Sequence, residues 1–313
     1  MNTKTKKLLQ EYSRNSRITT KELGRRIGSS QQSASYLLKS LKKKKIIVSN
    51  TAVIDAVKLG YVNVMVGFNL LNPQNKKEIL DELKEVGSIT SIEECNEGVD
   101  LLVEYTAQNL SAFNKIHSEL TYRFFKDLRA QFIYPVIVSH EYSRNYLSRK
   151  FYDHDVILFG DRVIRELSEN EERVLYELVK NADKKLIDIS EDLKIPVKTV
   201  VSLKKSLEAK YIIRTYSAIF NHVKLEIKRK IIFLKFTSEG VRKMDKFSEF
   251  AKRNKNIIKF VKVIGDYDIA IHVESLKDID LLNEIRSEFQ IDNYRVIKSV
   301  KIHKKNYLPL GEE

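Results

Sequence analysis

Residues 30–47 read SQQSASYLLKSLKKKKII, and residues 196–213, which lie 166 positions further on, read PVKTVVSLKKSLEAKYII. Without a gap, Leu37 falls on Leu203, Lys39-Ser40-Leu41 on Lys205-Ser206-Leu207, and Ile46-Ile47 on Ile212-Ile213. The match runs outward in both directions, with Leu23 on Ile189, Ala52 on Ala218, and Val57-Lys58-Leu59 on Val223-Lys224-Leu225. Chance identities would scatter, whereas these sit on the apolar period for about fifty residues. The shift is far longer than a solenoid repeat of roughly 20 to 50 residues, so it describes a two-domain unit present twice.

The first part of each copy has helical spacing. Apolar positions recur over 4–14 and 19–27, and Thr19 followed by Glu22 has the form of a capping box. After Ser29-Ser30, the residues Ala34, Leu37, Leu38 and Leu41 form one apolar stripe at i, i+3, i+4, i+7. The second copy repeats this with Val174, Leu175 and Leu178, then Ile189 and Leu193, then Val200, Leu203 and Leu207 in a helix that Pro196 opens. The segments IIVSNTAVI (46–54) and IIRTYSAIF (212–220) are β-rich with a polar centre, which predicts a hairpin or wing in each copy. Three short helices and a wing over 1–60, and again over 167–225, resemble a winged helix-turn-helix, whose last helix enters the DNA major groove. The candidate contacts in the first head are Ser30, Gln31, Gln32, Ser35, Tyr36 and Lys39 for base edges, with Lys42, Lys43 and Lys45 for phosphate. In the second head they are Lys198, Thr199, Ser202 and Lys205.

The second part of each copy reads β-α-β-β-α-β. In residues 61–141, a strand over 61–71 is followed by a helix over 75–86 and a hairpin over 88–105 broken at Asn96-Glu97-Gly98. A helix over 108–125 and a strand over 129–139 complete the unit. Residues 226–308 repeat the order, giving two ferredoxin-like domains that alternate with the heads in an α+β chain. Pro135 inside the last strand predicts an edge position, because proline lacks a ladder donor. Ile231-Ile232-Phe233-Leu234 is apolar on both faces, so the outer face of that sheet is expected to pack on another. Residues 142–166 lack a sustained period and are read as a linker.

Charge is distributed unevenly along the 313 residues. The total is +14, but residues 1–60 alone carry +11, residues 61–141 carry −5 and residues 168–225 carry +2. A local excess of that size favours a polyanion, here double-stranded DNA, as partner of the first head. The single cysteine, Cys95, excludes an internal disulfide framework and fits a reducing cytoplasm. No apolar run approaches the roughly 20 residues that cross a bilayer, so a membrane partner is not expected.

Gly265-Asp266-Tyr267-Asp268, followed by the alternating Ile269-Ala270-Ile271-His272-Val273, resembles the Gly-x-Tyr-Asp hairpin of the leucine-responsive (Lrp/AsnC, feast/famine) transcription regulators. That resemblance covers nearly the whole chain, twice. It implies a DNA-binding regulator responsive to an amino acid or related metabolite, with Gly265, Asp266, Tyr267 and Asp268 at the effector site. The matching turn of the first copy, Glu97-Gly98-Val99-Asp100, lacks the tyrosine and leaves Gly98 and Asp100 as its candidates. It also implies assembly through the effector domains, as an internal pseudo-dimer, a homo-oligomer or both. Two alternatives share the architecture: a siroheme (tetrapyrrole) decarboxylase-like enzyme, and a metabolite sensor or adaptor without DNA binding. No catalytic residue, cofactor or metal site is expected. The six histidines show no ligand spacing, and His154 between Asp153 and Asp155 reads as a histidine in a solvated linker.

Overall fold

The computed structural model describes residues 1–310. The first head is α1 (Thr3–Arg14), α2 (Thr20–Ile27) and α3 (Gln31–Lys43), followed by strand β1 (Ile47–Ile54). The first ferredoxin-like unit follows as β2 (Val62–Leu70), α4 (Lys76–Glu85), β3 (Ile89–Glu97), β4 (Leu101–Ala107), α5 (Leu110–Arg123) and β5 (Leu128–Tyr142). After β6 (Asp155–Phe159), the second head comprises α6 (Glu169–Lys180), α7 (Leu186–Leu193), α8 (Val197–Ala209) and β7 (Ile213–Phe220). The second unit is β8 (Lys228–Phe236), the single turn α9 (Ser238–Val241), α10 (Met244–Arg253), β9 (Ile257–Val263), β10 (Ile269–Ser275), α11 (Leu281–Glu288) and β11 (Ile291–Lys305). The chain is α+β, with the element order of the first half repeated in the second.

Local chemistry sets the helix starts. The side chains of Asn2, Ser30 and Asn109 accept from backbone N–H groups three residues on, and Ser168 with Glu171 completes a capping box. Each cap satisfies a donor that the first turn leaves without a partner.

The strands pair across the two halves. Along the sheet the order is β2-β4-β3-β11-β8-β10-β9-β5, and β2 also pairs with β5, so eight strands close into a barrel with β6 added outside β5. Two long strands make the closure. β11 pairs with β8 through residues 291–299 and with β3 through 298–305, while β5 pairs with β2 up to Pro135 and with β9 from Val136 onward. The expectation of an edge strand at Pro135 is therefore corrected. The proline sits where β5 changes partners, and its missing N–H falls at that change. Residues 142–166 are likewise not a bare linker, because β6 pairs with β5 from Val138 to Tyr142.

Neither head forms its own wing. The two β-rich segments supply one strand each, and β1 and β7 pair antiparallel with one another, Thr51 opposite Ser217. Each strand is also shared between the heads, with Ile47 of β1 in the core of the first head and Ile213 and Tyr216 of β7 in that of the second. Ala52 and Ile54 of β1 pack with Val174, Leu178 and Ile189 of the second head, whereas Ala218 and Phe220 of β7 pack with Leu8, Leu23 and Ala34 of the first.

Alternation along β8 explains its two apolar faces. Ile231 and Phe233 point into the barrel with Met65, Phe132, Tyr134 and Val261, while Ile232 and Leu234 pack outward with Phe247 of α10 and Ile285 of α11. Placing a carboxylate at Ile231, which is fully buried, should destabilise the chain by at least about 3 kcal/mol. Val300→Asp, on an exposed position of β11, should stay within about 0.5 kcal/mol of the parent. Urea unfolding of both variants checks this, and equal midpoints would contradict the closed barrel.

Candidate functional site

In the first head, α2 ends at Gly28 in the left-handed region (φ 68°), and α3 starts two residues later at the Ser30 cap. A Cβ on Gly24 would lie 2.9 Å from the Ser29 carbonyl oxygen, so the tight approach of the turn to α2 requires glycine there. Ala34 and Leu41 fix the inner face of α3 on the core that holds Leu8, Leu9, Tyr12 and Ile27. The outer face presents Gln31, Gln32, Tyr36, Lys39 and Lys43 to solvent, with Ser35 half-buried. Tyr36 is 78 % exposed, so its ring takes no part in the core. The Ser30 hydroxyl accepts from the Ser33 N–H at 3.1 Å, which makes it a cap.

The lysine run divides. Lys43, Lys44 and Lys45 are exposed, but Lys42 turns to the second head, where it pairs with Asp183. Asp183 also accepts from the Tyr12 hydroxyl, which in turn accepts from Asn50 Nδ2, so these four side chains bind one head to the other. In the second head, Lys198, Thr199, Ser202 and Lys205 are exposed on α8. Lys194 takes the left-handed position (φ 56°) that Gly28 holds in the first head.

The two hairpin turns fasten the barrel. Gly265 (φ 156°) lies under the Tyr134 ring, where a Cβ would come within 2.3 Å of ring carbon, and the Tyr134 hydroxyl donates to Asp266 at 3.1 Å. Tyr267 is buried against Phe233, and the Asp268 carboxylate accepts from the Phe236 N–H and pairs with Lys235. Asp100 does the same for the first copy, accepting from the Leu70 N–H at 2.7 Å, while Gly98 (φ 85°) makes room for Ile297. The polar atoms of these residues are directed largely to their own strands and to the facing copy.

A second group of polar residues lies where the heads meet the barrel. Arg229 donates to both oxygens of Glu93 (2.8 and 3.0 Å), to Glu274 (2.6 Å) and to His272 Nδ1 (3.1 Å). Arg144, Tyr146 and His222 also donate to Glu274, at 2.9, 2.8 and 2.9 Å. Lys259 and Lys305 pair with Glu104, and the Tyr307 hydroxyl donates to Glu141. Burial works to raise the Glu93 carboxyl, yet the charge and hydrogen bonds of Arg229 hold it down at about 2. Burial, then Lys259 and Arg229, push His272 down to about 3, so its ring is neutral. This cluster surrounds a cavity of about 90 Å³, closed on the head side by Arg14, Thr215 and Ser217. His154 lines it too, half-buried rather than in a solvated linker.

Reading the sequence for motifs missed this seam. Its signal was parity: Arg229, Lys259, Glu93 and Glu104 lie two residues from the inward Ile231, Val261, Cys95 and Leu102, so each charge continues a core-facing alternation. Among the described residues, no group of three histidines, cysteines or carboxylates is placed to hold a metal ion. No helix among them is long and apolar enough to cross a membrane.

Residues 1–48 match the winged helix-turn-helix DNA-binding family. A proline dehydrogenase transcriptional activator of Rhodobacter capsulatus is 25% identical over 117 residues, covering 36% of this chain and 76% of that protein. The crystal structure of the siroheme decarboxylase NirDL shares the fold over 98% of this chain and 94% of its own, with TM-score 0.61 and 13% identity. The same enzyme in complex with an iron-uroporphyrin III analogue aligns over the same shares at 12% identity. The expectation that the chain is not an enzyme is therefore corrected, since an enzyme is built on this architecture from end to end.

The buried cluster makes stability depend on acid pH in a defined sense. Glu93 has a folded-state pKa of about 2 against about 4.3 when unfolded, so its contribution is complete above about pH 4.3 and is lost as pH falls toward 2. Arg229→Met leaves Glu93 without its partner and should cost about 3–5 kcal/mol at neutral pH while flattening that acid limb. Urea unfolding from pH 6 to pH 2 measures both effects.

Proposed function

We propose that the chain is a sequence-specific DNA-binding transcription regulator of the Lrp/AsnC type, tandemly duplicated, with α3 of the first head as the main element in the major groove. The observation that carries this reading is the outer face of α3, where Gln31, Gln32, Tyr36, Lys39 and Lys43 are exposed beside Lys44 and Lys45 on a head of net charge +11. Gln can pair two-pronged with adenine, and the lysines supply contacts to phosphate that carry no sequence information. The match of residues 1–48 and the likeness to a transcriptional activator support it. The second head contributes Lys198, Thr199, Ser202 and Lys205 on a nearly neutral background, which gives it the weaker electrostatic share. A responsive ligand at Gly265 to Asp268, or at Gly98 and Asp100, would have to compete with the contacts these residues make within the barrel.

The enzymatic alternative places a tetrapyrrole in the chain. The seam cavity of about 90 Å³ is far below the roughly 300–1,000 Å³ of sites for drug-sized ligands, so a macrocycle bound there would have to displace the cluster around Arg229. Selection of DNA by the purified protein, with an absorption titration against iron-uroporphyrin in parallel, separates the two. An enriched motif supports the regulator, whereas no enrichment together with a shifted tetrapyrrole band reverses the conclusion.

Salt dependence ranks the lysines. Neutralising one lysine that meets a phosphate lowers the slope of log K against log salt by about 0.9, so Lys43→Gln with Lys45→Gln should flatten it by roughly one to two units and weaken all sequences alike. Lys205→Gln should do less. Gln32→Ala should instead relax preference at one or two base pairs, worth about 1–3 kcal/mol of discrimination, and leave the slope unchanged. Fluorescence anisotropy at several salt concentrations distinguishes these patterns.

A further inference from the structure

β5 and β11 hold matching places in the two halves. The first part of each pairs with the opening strand of its own unit, β2 or β8, and the second part crosses to the other half, to β9 or β3. Where β2 stops, the edge of β5 that it leaves is taken by β6, from Val138 to Tyr142. Where β8 stops, beyond Ser299, the same edge of β11 meets no strand among the described residues. The chain turns away from that edge after β11, because the Asn306 and Leu310 N–H groups donate to Thr90 and Gly87 on the β3 side.

The β1–β7 ribbon shows the same inequality. β6 packs Val156 and Leu158 against Val53 of β1, and the Phe159 N–H donates to the Asp55 carboxylate, so Val53 and Asp55 are buried. The positions 166 residues further on are Ile219 and Asn221, and both are only half-buried. They line a groove whose other wall is residues 301–305 of β11. Val48 and Val223 border it and are 59 % and 57 % exposed. The groove thus repeats what holds β6 in the first half, an open strand edge beside an apolar wall of the ribbon. Such an edge is a template for another strand, with main-chain hydrogen bonds giving affinity and alternate side chains giving selection. Charge narrows the choice further. Lys301, Lys304 and Lys305 line the groove and no carboxylate does. Lys305 pairs with Glu104 and Lys304 donates to the Lys84 and Val86 carbonyl oxygens, whereas Lys301 is exposed and in no ion pair among the described residues.

We propose that residues 301–305 of β11 accept an extended segment of a partner protein as an added antiparallel strand. The segment turns alternate apolar side chains toward Ile219 and carries carboxylates for the lysine side of the groove. Those are the features of β6 and its approach, Asp153-His154-Asp155-Val156-Ile157-Leu158-Phe159, which fill the matching place in the first half. The site is separate from α3 and from the hairpin turns at Gly98 and Gly265, and it does not depend on whether the heads bind DNA.

A labelled peptide of residues 153–160, titrated into the full chain and followed by fluorescence anisotropy, is the probe. It should bind saturably. Of two versions N-methylated at alternate amides, the one that blocks the β11 edge should bind at least about tenfold more weakly, because it cannot complete the ladder. Replacing both aspartates of the peptide by lysine should weaken binding severalfold, as should Lys301→Glu in the chain. Ile219→Ser should weaken it as well, and Val48→Asp, at an exposed position, tests the same wall without touching the core. Hydrogen exchange of the unsubstituted chain needs no variant: the peptide should slow the amides of 301–305 and leave those of 138–142 unchanged. No saturable binding would overturn the proposal, as would equal affinity of the peptide and both N-methylated versions. Protection at 138–142 would also overturn it, since the peptide would then have replaced β6. So would a dimer, formed without peptide, in which 301–305 are already protected, since the groove would then belong to a second copy.

Discussion

A strand with an open row of N–H and C=O groups must be covered, and in this chain the edges at β3 and β9 are covered by strands of the other half. β3 has no neighbour beyond β4 in its own unit, and β9 none beyond β10; β11 and β5 supply them. The heads obey the same constraint, because β1 and β7 are single strands that form a ribbon only together. Each then finishes the apolar core of the opposite head, with Phe220 beside Leu8 and Ile54 beside Leu178. The two halves are thus complementary parts of one structure, and the angle between α3 and α8 is set by sheet pairing and by the Lys42, Asp183, Tyr12 and Asn50 contacts instead of by a flexible connection.

Closing the barrel creates an interior that must be filled, and it is filled unequally. One end is aromatic and aliphatic, with Phe132, Tyr134, Phe233 and Tyr267 in mutual contact. The end toward the heads is ionic. Buried ion pairs are poor stabilisers beside well-packed apolar groups of similar volume, because desolvation offsets most of the Coulomb attraction. The cluster around Arg229 is therefore poorly explained as a source of stability. Its position is more informative: under the ribbon Arg229 of β8 meets Glu93 of β3, and Lys259 of β9 and Lys305 of β11 meet Glu104 of β4, so these ion pairs join one half of the barrel to the other.

Helices were legible in the sequence because their evidence is local. The stripe Ala34, Leu37, Leu38, Leu41 needs only its own segment, and the observed α3 keeps it, whereas Ser30, read as a base-edge contact, is the cap of that helix. Partnership between strands is not local. IIVSNTAVI and IIRTYSAIF declare two strands but not that they pair with each other across about 166 residues of chain, so a separate wing in each head was the natural misreading. Pro135 declared a missing donor, and the edge was inferred where the structure has a change of partner. The seam was missed for a different reason. Its charged residues are scattered over seven strands, and only the parity of Arg229 with Ile231, or of Lys259 with Val261, marks them as inward-facing. Lys42 shows the opposite error. A run of four lysines reads as one basic surface, yet helical geometry turns its first member toward Asp183.

Locking unequal heads together has a consequence for the proposed recognition of DNA. A symmetric homodimer presents two identical helices and selects half-sites related by a dyad. Here the pairing of β1 with β7 keeps the paired-head geometry, but the surfaces have diverged: Gln31, Gln32 and Tyr36 stand where the second head has Val197, Lys198 and Ser202, and net charge falls from +11 to +2. The turn before α8 even holds Lys194 in the left-handed conformation that glycine occupies before α3. Phosphate attraction is then concentrated on one side of a rigid pair, and base-edge chemistry differs between the sides. Under the proposed function such a pair has no physical reason to favour a palindrome, and the site it selects combines a strongly held half with a weakly held one at the spacing that the ribbon dictates.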